Sequence, residues 1–186
     1  MPVSSDLDAL LARCLRREPA AQRTLYSRYA GRMLGIARRY AYTLPEAEDI
    51  LQDAFVKVFT RLGEFRSEGS LEGWIRRIVV TTAINHWQSG KLRRQRQVEL
   101  PDSFDVSPAV SASALDQLNV LEVLSLIEQL PEGCKVVLLL YAVDGYSHSE
   151  ISEMLGIQES TSKAQLSKAR KQLLLLYQQQ NNFIRL

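Results

Sequence analysis

The sequence has little of what metal sites, disulfides and most active sites are built from. Its two histidines are His86 and His148, and its two cysteines, Cys14 and Cys134, stand far apart with no Cys or His neighbour at metal-ligand spacing. That argues against a zinc cluster or a disulfide framework and for a reduced, cytoplasmic protein whose thiols act as small buried hydrophobes. There is no glycine-rich phosphate loop and no nucleophile elbow, so neither catalysis nor a cofactor is expected, and no metal. The longest apolar run, Val136 to Val143, is far too short to span a bilayer and reads as a buried helix. The opening stretch "MPVSSDLDALL" lacks a charged-then-apolar export pattern, so no membrane insertion is expected. With nine glycines and six prolines, the chain also lacks low-complexity tracts and internal repeats.

What is present is helical periodicity and an uneven charge. The 186 residues are 46% hydrophobic and 24% charged, room for one domain or two small ones. The net charge of +2 hides a partition. Residues 61–97 carry 8 Lys/Arg against 3 Asp/Glu, whereas residues 98–135 carry 1 against 7. A basic block followed by an acidic one points to different partners for different segments.

From Asp6 to about Gln97 the pattern is helical, with apolar residues three and four apart: Leu7, Leu10, Leu11 and Leu15, then Leu25, Tyr29, Met33, Ile36 and Tyr40. Ser5 suits a first cap, Pro19 a second helix start, and Pro45 with acids behind it a third. "FRSEGSLEGW" interrupts as a loop of about ten residues before the helix resumes. The Pro- and Ser-bearing stretch "VELPDSFDVSPAVSASALDQ" reads as a linker. The expected fold is all-α: two small helical domains, residues 1–97 and 119–186, joined by a flexible linker over 98–118.

The C-terminal segment "GYSHSEISEMLGIQESTSKAQLSKARKQL" is a helix-turn-helix pattern. Ser147 and Glu150 form a capping box, Ile151, Met154 and Leu155 an apolar stripe, and Gly156 a left-handed stop, with Ile157 beneath the turn. The next helix aligns Ser162, Leu166, Ala169 and Leu173 on one face and presents basic and polar residues on the others. In a DNA-binding helix-turn-helix the second helix enters the major groove N-terminus first, which makes Thr161, Lys163, Ala164, Gln165, Ser167 and Lys168 the candidate upstream contacts. A helical hairpin with a solvated basic face satisfies the same pattern.

Three segments in order carry a resemblance over about residues 8 to 177. "AEDILQDAFVKVF", "FRSEGSLEGWIRRIVVTTAINHW" and "LPEGCKVVLLLYAVDGYSHSEISEMLGIQESTSKAQLSKARKQL" together resemble the extracytoplasmic-function (ECF) class of bacterial RNA polymerase sigma factors. Asp49, Gln52 and Asp53 put polar groups on one side of a helix while Ile50, Phe55 and Val56 face inward, and the resemblance implies that the polar side docks core RNA polymerase. It implies that the loop from Phe65, with Arg66 and Ser67, captures a flipped base of melted promoter DNA. The following helix then offers Arg76, Arg77, Thr81, Asn85, His86 and Trp87, and Lys91, Arg93, Arg94 and Arg96 meet phosphates. Trp74 and Ile78 are expected in the hydrophobic core. The C-terminal domain would read the upstream element of the same promoter, so that duplex and single-stranded DNA are both partners. An anti-sigma factor or other regulatory protein is the further expected partner.

The sequence departs from the family in three respects. Thr81 stands where Asn is common, and Ser162 where Val is common. Lys and Gln replace Arg in the recognition helix, and Lys lacks Arg's bidentate fork. In the linker Glu99, Asp102 and Asp105 either mimic RNA phosphates in a polymerase channel or form a solvated tether. The alternative to a sigma factor is a stand-alone dimeric helix-turn-helix regulator, which leaves residues 20–97 without a role. In the tail, Leu174, Leu175 and Leu176 are expected to finish the C-terminal core.

Overall fold

The computed structural model describes residues 3–96 and 125–183, with side chains over 6–90 and 125–179. The described residues are helical, with no strand among them. They fall into two compact units, one within Met1–Val98 and one within Glu99–Leu186. The linker read at 98–118, with Glu99, Asp102 and Asp105, lies outside the described residues.

The first unit is built from α1 (Val3–Leu15), α2 (Pro19–Ala37), α3 (Leu44–Arg61) and α4 (Leu71–Arg96), with a 3-10 turn at Leu62–Glu64. Helices α2, α3 and α4 each contact the other two, and α1 rests on α2 and the 3-10 turn. Their shared interior holds Leu25, Met33, Ile50, Val58, Ile75, Val79, Val80 and Ile84, all sealed from solvent. Ala47, Ala54 and Ala83 are fully buried between them and let the helices approach closely. Truncating a side chain such as Ile50 to Ala in this setting costs about 2–5 kcal/mol.

Local signals fix the helix starts. Pro19 stands in the first turn of α2, where its missing N–H is not needed. Thr43 caps α3 by accepting from the Glu46 N–H, and Glu46 reaches back to the Tyr42 N–H at 2.8 Å. Ser70 accepts from the Gly73 N–H at 3.0 Å and starts α4, so the interruption is shorter than the ten residues expected. Arg32 on α2 holds Glu72 on α4 through both carboxylate oxygens, at 2.9 and 2.7 Å.

Two inward assignments are corrected. Leu15 is 54% exposed, and Cys14 takes its place in the buried stripe: positions 7, 10, 11 and 14 keep helical phase, and 15 falls off it. Val56 is 63% exposed. The buried stripe of α3 runs through Ile50, Leu51, Ala54, Phe55 and Val58, and Val56 lies on the opposite side, with Asp49, Gln52 and Asp53.

The second unit begins with a helical stretch over residues 125–128 and continues through α5 (Glu132–Leu138), a π-helical turn (Leu139–Val143), α6 (His148–Leu155) and α7 (Glu159–Phe183). Helix α7 packs against both α5 and α6. Leu126, Val137, Leu140, Ile151, Leu166 and Ala169 form the interior. In the π turn the Asp144 N–H reaches the Leu139 carbonyl at 3.0 Å, five residues back. The capping box of Ser147 and Glu150 is present, and Gly156 ends α6 at φ 64°, a conformation open to glycine at little cost. Of the tail leucines, Leu176 is half-buried, but Leu174 and Leu175 are corrected: each is 57% exposed.

Candidate nucleic-acid interface

Three surfaces gather the residues singled out above. The first is the solvent side of α3. Asp49, Gln52, Asp53 and Val56 are all exposed there, at spacings of three and four that keep them on one face. Asp53 Oδ2 lies 2.7 Å from His86 Nε2 on α4. One turn along, Lys57 Nζ donates to the buried Thr82 hydroxyl at 3.1 Å. Asp53 therefore offers a carboxylate oriented by one partner, with its other oxygen left for a second.

The second surface is the loop before α4 and one face of that helix. Phe65 is half-buried, its ring tilted against Trp74 with centroids 5.6 Å apart. Trp74 and Ile78 are likewise half-buried. Arg66 and Ser67 are exposed beyond Phe65. Ser67 sits at φ 58° and Gly69 at φ 116°. A non-glycine residue in that region is uncommon, and the pair folds the loop back sharply. On α4, Arg77, Thr81 and Asn85 recur every fourth residue and are all exposed, with Arg76 half-buried beside them. The Thr81 hydroxyl donates to the Arg77 carbonyl at 2.8 Å, so its oxygen faces outward as an acceptor. Trp87 is a correction. At 7% exposure it belongs to the hydrophobic core, since it follows Val80, Ala83 and Ile84 in phase. Lys91, Arg93, Arg94 and Arg96 continue the helix, but their side chains lie outside the described ones.

The third surface is the first half of α7. Thr161, Lys163, Ala164, Ser167 and Lys168 are exposed, while Ser162, Leu166 and Ala169 turn inward. Lys163 pairs with Glu159 at 2.7 Å, and the ammonium holds the Glu159 carboxyl below its ordinary range. Gln165 is corrected: its Oε1 accepts from the Cys134 thiol at 2.9 Å, so its amide is turned toward α5 and away from the exposed face. Burial raises the Cys134 thiol above its ordinary pKa, opposed by the nearby Lys168.

Sequence reasoning missed two contacts: His86 as the partner of Asp53, and His148 as the partner of Ser162, Nδ1 to Oγ at 2.9 Å. Neither had a signal within its own segment, since each partner lies on another helix. Among the described residues no cluster of His, Cys, Asp or Glu could hold a metal ion. No described helix is long and apolar enough to cross a membrane.

Comparison with known proteins matches the chain in two segments. Residues 25–93 match sigma-70 region 2, and residues 121–173 match sigma-70 region 4. The RNA polymerase sigma-H factor of Pseudomonas aeruginosa is 27% identical over 172 residues, covering 87% of this chain and 89% of that protein. The ECF RNA polymerase sigma-E factor of Escherichia coli is 27% identical over 173 residues, covering 87% and 89%. The sigma factor RpoE from Bartonella quintana, solved in complex with the anti-sigma factor NepR, shares the fold with a TM-score of 0.58 at 20% identity, over 84% of this chain and 96% of that one. With regions 2 and 4 both matched, in that order, and similarity running along most of the chain, the protein belongs to the sigma-70 family: it is a sigma factor of the ECF class, which binds core RNA polymerase and directs promoter recognition.

Proposed function

We propose a division of that work among the three surfaces. The exposed side of α3, with Asp49, Gln52 and Asp53 around Val56, docks core RNA polymerase. The loop from Phe65 through Ser67 receives a base flipped from the melted downstream element. Arg76, Arg77, Thr81 and Asn85 line the freed strand, and Lys91, Arg93 and Arg94 meet its phosphates. Thr161, Lys163, Ala164, Ser167 and Lys168 face the major groove of the upstream element. The observation that supports this reading best is the one-sided exposure of each set: Arg77, Thr81 and Asn85 lie in a single row on α4, and the α7 contacts oppose its buried face.

The protein has no catalysis of its own in this reading; it acts in the cytoplasm, where its polymerase partner works. An anti-sigma protein is the proposed regulator, of the kind seen bound to the Bartonella quintana relative. Both DNA contacts are weak alone and become strong when polymerase holds the two units on one promoter.

The test is binding of purified protein to core RNA polymerase, followed by transcription from a library of random promoter fragments. Binding with new, aligned start sites supports the assignment. Tight binding to duplex DNA as a dimer, without core, would sink it.

A further inference from the structure

Ser162 is a hydroxyl in a place built for hydrocarbon. It lies in the first turn of α7, is fully buried, and shares its face with Leu166 and Ala169. A buried hydroxyl needs a partner. Its partner is not on its own helix but on another: His148 Nδ1, at the start of α6, 2.9 Å away. The His148 ring is itself fixed from a second side. It stacks on Tyr141 of the π turn, with centroids 4.6 Å apart and planes 21° from parallel. The other neighbour of that tyrosine is Arg170, whose guanidinium stands 5.9 Å from the ring centroid. One imidazole thus joins the π turn, the start of α6 and the first turn of α7, which no apolar contact at position 162 would do with a fixed direction.

We propose that His148 is a positioning residue for upstream promoter recognition, seating the first turn of the recognition helix through Ser162. The neighbours of Ser162 on that turn, Thr161 and Lys163, are the side chains aimed at base edges and phosphates. Base-edge readout depends on hydrogen bonds that fail with small displacements. Stability depends on this bond far less: without His148, the Ser162 hydroxyl can turn back to the Gln158 carbonyl of its own helix. Loss of the bond is therefore read as lost discrimination between upstream sequences rather than as unfolding. The proposal rests on the assignment of α7 to the upstream element.

The test uses full-length protein assembled with core polymerase. Promoters are first selected with the wild-type holoenzyme, then re-randomised over the upstream element, and transcripts are counted by sequence. Ser162→Val and His148→Leu are each expected to reduce discrimination between the best and the median upstream sequence about tenfold, with core binding unchanged as the check on folding. His148→Asn, which keeps a nitrogen near the Nδ1 position, stays within about threefold of wild type. The double variant S162V/H148L is expected to lose no more than the worse single, about tenfold, since the two side chains act through one bond. Wild-type discrimination in both single variants overturns the proposal, as does a double variant whose loss is the product of the two single losses. A wild-type holoenzyme with no upstream preference overturns the assignment of α7 and this proposal together.

Discussion

Asp53 on α3 and His86 on α4 face each other at 2.7 Å, tying the proposed polymerase-docking face to the helix proposed to line melted DNA. The rung recurs along the seam as Lys57 to Thr82 and then Phe65 to Trp74, the order of two antiparallel helices. Exposed pairs of this kind are worth about 0–1 kcal/mol, so the expected effect is on orientation. His86→Leu should weaken binding to core polymerase about threefold, and His86→Gln, whose amide can reach the same oxygen, should not. Titration of labelled protein into core polymerase measures both. Equal affinity for Leu and wild type would remove His86 from the docking argument.

Val56 makes a sharper prediction. A valine 63% exposed amid Asp49, Gln52 and Asp53 adds little to the packing of the free protein, yet it supplies apolar area at the centre of a polar face. Val56→Ser should leave thermal unfolding within about 2 °C of wild type and weaken core binding about tenfold, the loss of about 1.5 kcal/mol of valine burial. A variant that binds core normally would place the docking face elsewhere.

Lys163 is paired with Glu159 before any DNA arrives. Glu159→Gln releases it and removes a like charge from the phosphates. Holoenzyme binding to promoter DNA should tighten for this variant and fall more steeply with salt. Lys163→Gln should flatten the salt slope by about one unit. Affinities measured at several salt concentrations decide between these outcomes.

Gly156 tests the helix-turn-helix itself. Its φ of 64° leaves an added Cβ in open space, so Gly156→Ala should cost only the left-handed backbone term, about 1–2 kcal/mol. Hydrogen exchange over α6 and α7 should quicken accordingly, with α2 to α4 unchanged.

Both thiols are expected to be sluggish. Burial raises Cys14 and Cys134 above the ordinary thiol pKa, so less thiolate exists at a given pH, and the thiolate is the reactive form. Labelling by a disulfide reagent at pH 8 should be slow in buffer and fast in urea. Rapid native labelling of Cys134 would contradict its bond to Gln165.

The helices were legible because apolar residues repeat at three and four, and the capping box and Gly156 mark the turn in plain sequence. Phase also explains the errors. Position 165 lies beside 162, 166 and 169 on the inward side of α7, but a polar Gln there reads as a contact until its thiol partner is seen. Trp87 is in phase with Val80, Ala83 and Ile84, yet an aromatic in a strand-separating segment invites a stacking role. Val56 suits an inward place by its chemistry, against its phase. The hydrogen bonds of His86 and His148 were beyond reach, since each depends on a residue of another helix whose register no single segment specifies.

Helix α4 is unbroken from Leu71 to Arg96, and that continuity makes it a measuring rod. At about 1.5 Å per residue, Arg76 and Arg94 stand about 27 Å apart along the axis, comparable to about eight steps of a DNA strand at 3.4 Å each. A residue inserted between them would lengthen the rod by only about 1.5 Å but turn everything beyond it by about 100°. Length along this helix is forgiving and azimuth is not. The chain can drift in the chemistry of the positions proposed to face DNA far more readily than in the number of residues that separate them.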